Sequence, residues 1–140
     1  MASTPFKTVL AAHKAFYKAL GDADIELMTQ VWSPTEEAVC IHPLWPPLIG
    51  QATIVASWAD MFTTDSTMTV NTQILNQRHL PDCCIQLVSE TLAVPGRSSS
   101  PPVLATNIYE RTGDGWLMVL HHASPTAEFE AAEQDDQPLH

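Results

Sequence analysis

Hydrophobic positions recur at helical spacing from the start of the chain. Phe6, Val9, Leu10, Phe16, Tyr17 and Leu20 lie at i, i+3, i+4 and i+7 steps, with His13 on the same stripe. The spacing predicts an amphipathic helix over 4–20, with Thr4 as cap, Pro5 in the first turn and Gly21 as stop. Asp22 or Asp24 then caps a second helix whose apolar side is Ile25, Met28, Val31 and Trp32, and Ser33-Pro34 ends it. Over 37–42 the period falls to two: Val39 and Ile41 face one way, Ala38, Cys40 and His42 the other. Pro43, Pro46 and Pro47 with closing Gly50 make 43–50 an irregular loop, yet an apolar one that should cover something. Ile54, Val55, Trp58, Met61 and Phe62 mark a third helix over 51–62.

From Met68 the period is that of strands. One runs over 68–77 and a second over 83–94, with 78–82 as the turn. The segment 95–102, PGRSSSPP, has no capacity for helix or strand. Two apolar runs then flank Thr112-Gly113-Asp114-Gly115, a strong hairpin signal. Strict alternation puts Trp116, Met118, Leu120, His122 and Ser124 on one face of the last strand, and Leu117, Val119, His121 and Ala123 on the other. A bulge would invert that parity partway along. The order of helix, helix, strand, helix and four long strands is an α+β fold, its helices on one face of a curved antiparallel sheet. We expect one domain over 1–125 and an acidic, disordered tail over 126–140.

Composition narrows the function. With 140 residues the chain can bury a core without staples. The net charge is −10, and five acids fall in the last 13 residues; no basic patch stands out, which argues against nucleic acid and anionic membranes as partners. No apolar run is long enough to span a bilayer. Cys40, Cys83 and Cys84 are odd in number and lack metal spacing, so reduced packing residues and a cytoplasmic, reducing compartment are expected. The sequence leaves open a transit peptide removed ahead of it. Without a GxGxxG, P-loop, GxSxG or CxxC motif, no cofactor is expected. His13, His42 and His122 lack ligand spacing, so no metal is expected either.

Three segments, GDADIELMTQVW, CIHPLWPPLIGQATIVASW and LATNIYERTGDGWLMVLHHASP, carry a likeness that extends over about residues 5–125. In this order the chain resembles the SnoaL-like, nuclear-transport-factor-2-like superfamily. That group includes ketosteroid isomerases, polyketide cyclases and the association domain of calcium/calmodulin-dependent kinase. The resemblance implies a cone, a curved sheet wrapped on three helices around a pocket, and a homodimer paired through the outer sheet surface. It implies that His42-Pro43 stands where the isomerases carry their basic Asp-Pro. It also puts Phe16, with Tyr17 adjacent, at their oxyanion tyrosine, and Thr106 or Asn107 at their second donor. The isomerase triad is therefore not intact.

The candidate chemistry follows. His42 leaves a strand for an aromatic loop and can act as general base, or simply bond a loop carbonyl. Asn107 can stabilise developing oxygen charge without a raised pKa, assisted by Tyr109 on the same face or by His122. Trp45 and Trp58 would wall a ligand off from water, with Tyr17 and Ser124 completing the lining. His13 reads as a satisfied core histidine, and Trp32 as core. Glu90, between Val88 and Leu92, is either an acid of raised pKa or the partner of Arg111 or Arg97, and the pair is preferred. Asp60 and Glu26 read as solvated helix acids. The expected function is a pocket for a small apolar molecule bearing a carbonyl or hydroxyl, with isomerisation, cyclisation or dehydration by proton transfer. The alternative is a non-catalytic dimerisation or scaffold domain with a vestigial pocket. The first predicts that His42→Ala abolishes turnover or ligand binding at a nearly unchanged melting temperature.

Overall fold

A computed structural model describes residues 5–63, 69–93, 96 and 101–127. Three helices, α1 (Val9–Asp22), α2 (Ile25–Val31) and α3 (Gln51–Phe62), pack on a six-stranded sheet. Its strands are β1 (Val39–Ile41), β2 (Leu48–Ile49), β3 (Thr69–His79), β4 (Cys83–Ala93), β5 (Val103–Thr112) and β6 (Gly115–Pro125), in the order β2-β1-β6-β5-β4-β3.

The α+β reading holds, with local corrections. Helix α1 starts later than expected because Thr8, not Thr4, is the cap: its hydroxyl accepts from Ala11 N at 3.0 Å. Phe6 is kept out of the helix by β6, since Trp116 N donates to Phe6 O at 2.8 Å. Thr4 lies outside the described residues. Gly21 does not stop the helix; Ala23 does, in the left-handed region at φ 54°, where Asp24 N returns to Ala19 O at 2.9 Å. Asp24 then caps α2 by accepting from Leu27 N at 3.1 Å.

The loop over 43–50 is not wholly irregular. Leu48 and Ile49 keep their N–H groups after three prolines, and they pair with β1 as Val39↔Ile49 and Cys40↔Leu48. β1 itself joins the long strands by a parallel pairing with β6, Val39↔Leu120 to Ile41↔His122, so the sheet is mixed rather than purely antiparallel. β3 runs on to His79 because Arg78 and His79 still pair with Ile85 and Cys84, shortening the expected turn. Met68, most of the 95–102 segment and the tail from 128 lie outside the described residues; Thr126, at the tail's start, is held by a 2.6 Å bond to Pro102 O.

Two irregularities bend the long strands. The β3/β4 register slips between Ile74 and Asn76, and the β5/β6 register slips between Ile108 and Tyr109. In the second, Ile108 faces Leu120 but Tyr109 faces Met118, leaving Val119 as the extra residue. Such bulges sharpen twist and curvature. Phe16, Met28, Val31, Trp32, Ile54, Trp58, Val88 and Met118 are all buried between the helices and the inner face of the sheet.

Candidate functional site

Polar groups on that inner face form a linked set. Asn107 on β5 and His121 on β6 are register partners, both buried. His121 Nδ1 lies 2.6 Å from Asn107 Oδ1, an acceptor, so the imidazole donates. Asn107 Nδ2 donates to the Tyr17 hydroxyl at 2.8 Å, and that hydroxyl donates to Glu90 Oε2 at 2.6 Å. Four residues from α1, β4, β5 and β6 thus make one continuous hydrogen-bonded chain in the interior. Burial pushes the Glu90 carboxyl up to about 7, partly offset by the Tyr17 bond. Burial, then the neighbouring His42 and His122, holds the His121 imidazole down to about 3, so it is neutral.

A second set lies beside the first. His42 follows β1 immediately and is 1% exposed. Its Nε2 lies 2.9 Å from Ser57 Oγ on α3. The Ser57 proton is committed to Ile54 O at 2.7 Å, so His42 Nε2–H is the donor and Nδ1 carries the lone pair. Among the described residues that lone pair meets only the Cys40 thiol, 4.0 Å away, whose pKa burial pushes up to about 12. Burial also lowers the pKa of His42. The His42 ring is edge-on to Trp58 at 4.5 Å and to Trp45 at 4.9 Å between centroids. Trp58 and Phe16 bridge the two sets, with centroids 6.2 and 4.8 Å from His121.

The interior therefore gathers His42, Trp58, Tyr17, Asn107 and Tyr109, with Trp45 half in solvent at the edge. Tyr109 is fully buried and its hydroxyl has no hydrogen-bond partner among the described residues; the same is true of Trp58 Nε1. His122 and Ser124 are not brought to this site. Both are exposed, because the Val119 bulge inverts the parity read from Trp116 and turns His121 and Ala123 inward instead. Glu90 is held by Tyr17 and not by Arg111, whose guanidinium lies 5.3 Å over the Trp116 ring; Arg97, the other expected partner, lies outside the described residues. His13 donates to Gln86 Oε1 at 3.1 Å, and Gln86 Nε2 donates to Gln77, so His13 is a hydrogen-bonded core residue. Asp60 and Glu26 are exposed helix positions, as expected of solvated acids. Cys40 and Cys84 are buried and Cys83 half-buried, all as free thiols.

Ser57 and His121 are the site residues that pattern alone does not mark. Ser57 gives no signal on a helix of mixed faces. Glu90 leaves one clue: it shares parity with Gln86 and Val88, which are buried.

A family model for the SnoaL-like domain matches residues 9–128, and the chain belongs to that family. Among solved structures, it is 38% identical to a Thiobacillus denitrificans protein provisionally assigned as a calcium/calmodulin-dependent protein kinase type II association domain. That match has a TM-score of 0.84 and covers 87% of this chain and 98% of the other. A provisionally assigned dehydratase of the NTF2-like family from Streptomyces avermitilis is 26% identical, with a TM-score of 0.77 and coverage of 85% and 94%. A ketosteroid isomerase-like protein from Erwinia carotovora atroseptica, 16% identical with a TM-score of 0.69 and coverage of 85% and 94%, shares the fold. A curated relative is the F-box protein SKIP8 of Arabidopsis thaliana, 24% identical over 118 residues, 84% of this chain. The chain spans about half of that protein's length. The architecture is the NTF2-like, cystatin-like cone of these neighbours. Among the described residues no helix is long and apolar enough to cross a membrane.

Proposed function

We propose that the cone interior binds a small, largely apolar molecule carrying a carbonyl or hydroxyl, and that it moves a proton on that molecule without a cofactor. The supporting observation is the interior polar set itself. Neutral imidazoles, a carboxyl that titrates near neutrality and a Tyr109 hydroxyl with no partner among the described residues are enclosed by Phe16, Trp58 and Trp45. Such groups cost free energy when buried without a use. His42 serves as base: its Nδ1 lone pair takes a proton from a carbon or water and returns it to another position. Tyr109 donates to the ligand oxygen, joined by the Asn107 N–H that Tyr17 does not occupy. Trp45 and Trp58 keep water out. The likeness to an NTF2-like dehydratase at 26% identity favours proton-transfer chemistry of the isomerase or lyase type. Native mass spectrometry of the protein from its own source, followed by denaturing extraction, tests this. One specific small molecule per chain is the expected result; an interior that carries nothing and admits no apolar carbonyl or hydroxyl compound overturns it.

The 38% likeness to an association domain favours a second reading, a non-catalytic assembly module. Either reading includes a homodimer through the outer sheet. There Ile85, Ile108 and Leu120 stand in register across β4, β5 and β6, with Leu87 beside them and Ile85 and Leu87 each 37% exposed. Sedimentation equilibrium of the Ile85→Asp/Leu87→Asp protein should show a monomer where the parent shows a dimer.

A further inference from the structure

We infer that Glu90, acting through Tyr17 and Asn107, is a positioning residue that holds His121 as its Nδ1–H tautomer and so presents a bare Nε2 acceptor to the interior. The inference rests on the interior being a binding site. It refines that reading, because the group that meets His121 must then be a hydrogen-bond donor, a hydroxyl or a protonated nitrogen.

The direction of the chain follows from its end. Above about pH 7 Glu90 is a carboxylate and can only accept, so the Tyr17 hydroxyl must then give its single proton to Glu90 Oε2, 2.6 Å away. The Tyr17 oxygen is then left to accept, which turns the Asn107 amide so that Nδ2 faces Tyr17 at 2.8 Å. The carbonyl end of the same amide therefore faces His121, and Nδ1 must donate across 2.6 Å. A neutral imidazole carries one N–H, so Nε2 has none. No hydrogen bond reaches that nitrogen among the described residues, and its ring lies to one side of the packed Phe16–Trp58 pair, with centroids 4.8 and 6.2 Å away. Each choice along the chain is forced by the one before, and Glu90 is the only member that cannot both donate and accept when ionised. A chain that merely filled hydrogen bonds would not need a charged end. The five described lysines and arginines are all exposed, so none of them neutralises that end.

Imidazole ¹⁵N NMR at pH 8.5, with the His121 signals assigned by their loss in His121→Gln, measures the tautomer and needs no ligand. Failure here is therefore separate from failure of the binding reading. The full-length protein should show His121 with Nδ1 protonated and Nε2 bare as one species. A protonated Nε2 in the parent protein overturns the inference at once. Glu90→Gln keeps the shape but replaces the obligate acceptor with a group that can also donate. It should add a second His121 species with Nε2–H at about a tenth or more of the signal. An unchanged single tautomer in folded Glu90→Gln removes the role of Glu90. Should that variant not fold, Tyr17→Phe interrupts the same chain and must give the same mixture.

Discussion

His42 Nε2 and Ser57 Oγ are 2.9 Å apart, and the serine has already given its proton to Ile54 O. The pair therefore sets which nitrogen of His42 is basic. It also changes what a mutation of His42 should do. The sequence reading expects His42→Ala to leave melting unchanged, but the ring is 1% exposed and wedged against two indoles. Truncation there should cost about 3 kcal/mol through the cavity it leaves. His42→Gln can still donate to Ser57 from nearly the same volume, and should lose much less stability. If His42 is the base, the His42→Gln protein binds the molecule recovered from the native protein with little change and turns it over at least about 100-fold more slowly. Turnover within about threefold of the parent would assign His42 to packing alone.

Tyr109 buries a hydroxyl with no partner among the described residues, on the same face as Asn107. Leaving such a group unpaired costs about 1–3 kcal/mol. Tyr109→Phe should therefore melt no lower than the parent, and up to that much more stably. Ligand affinity should fall about tenfold if the hydroxyl meets the ligand oxygen. Calorimetric melting and titration on the same samples separate the two effects. A destabilised variant with unchanged affinity would contradict both.

The buried titrating groups give a pH profile with opposed slopes. The folded carboxyl of Glu90 holds its proton up to about 7, above its ordinary value of 4.5, so the folded state binds more protons than the unfolded one across that window. Its contribution is present below 4.5 and lost as pH rises toward 7, by about 3 kcal/mol. His13, His42 and His121 are all lowered from 6.5, chiefly by burial. Their contribution is present above 6.5 and lost as pH falls toward their folded values. Three imidazoles outweigh one carboxyl throughout this window, and at pH 6.5 the unfolded imidazoles are still half protonated, so the rise continues past that point. Melting temperature should climb with pH and level off at about 7.5. In Glu90→Gln the opposing slope is removed, so the climb between 4.5 and 7 should be steeper. An equal climb in parent and variant would show that Glu90 does not titrate in that window.

Much of the frame is legible in the sequence because burial follows period. The β1 parity sets Cys40 and His42 inward, the helix over 51–62 stands where its apolar spacing puts it, and Asn107 and Tyr109 share a buried face. The inward histidine of β6 is hidden for a physical reason. Val119 is an extra residue opposite no partner, and a bulge leaves no mark in a run of apolar side chains. One inserted residue exchanges His122 for His121. The partner of Glu90 is hidden because Tyr17 lies 73 positions away on α1, and sequence pattern carries no information at that distance. The nearest base in a charge count is a poor guess for a buried acid, since a phenol can satisfy it without a second buried charge.

The loop between β1 and β2 that carries Trp45 holds the one described leucine with a positive φ. Leu44 sits at φ 70° and is 91% exposed, so its side chain neither packs nor explains its conformation. A left-handed backbone at such a residue costs about 1–2 kcal/mol, while asparagine tolerates it. Trp45 N donates to His42 O at 2.9 Å in the turn this residue closes, which brings the indole against the His42 ring. Leu44→Asn should keep that turn and raise the melting temperature, by up to about 1 kcal/mol in stability. Leu44→Pro cannot adopt a positive φ and should pull Trp45 away from His42. Trp45 fluorescence, resolved in a background with Trp32, Trp58 and Trp116 replaced by phenylalanine where folding permits, reports the separation. A strain that serves to seat Trp45 predicts a red-shifted, quencher-accessible indole in Leu44→Pro and an unchanged one in Leu44→Asn. Equal spectra in the two variants would show that the turn does not govern the indole's position.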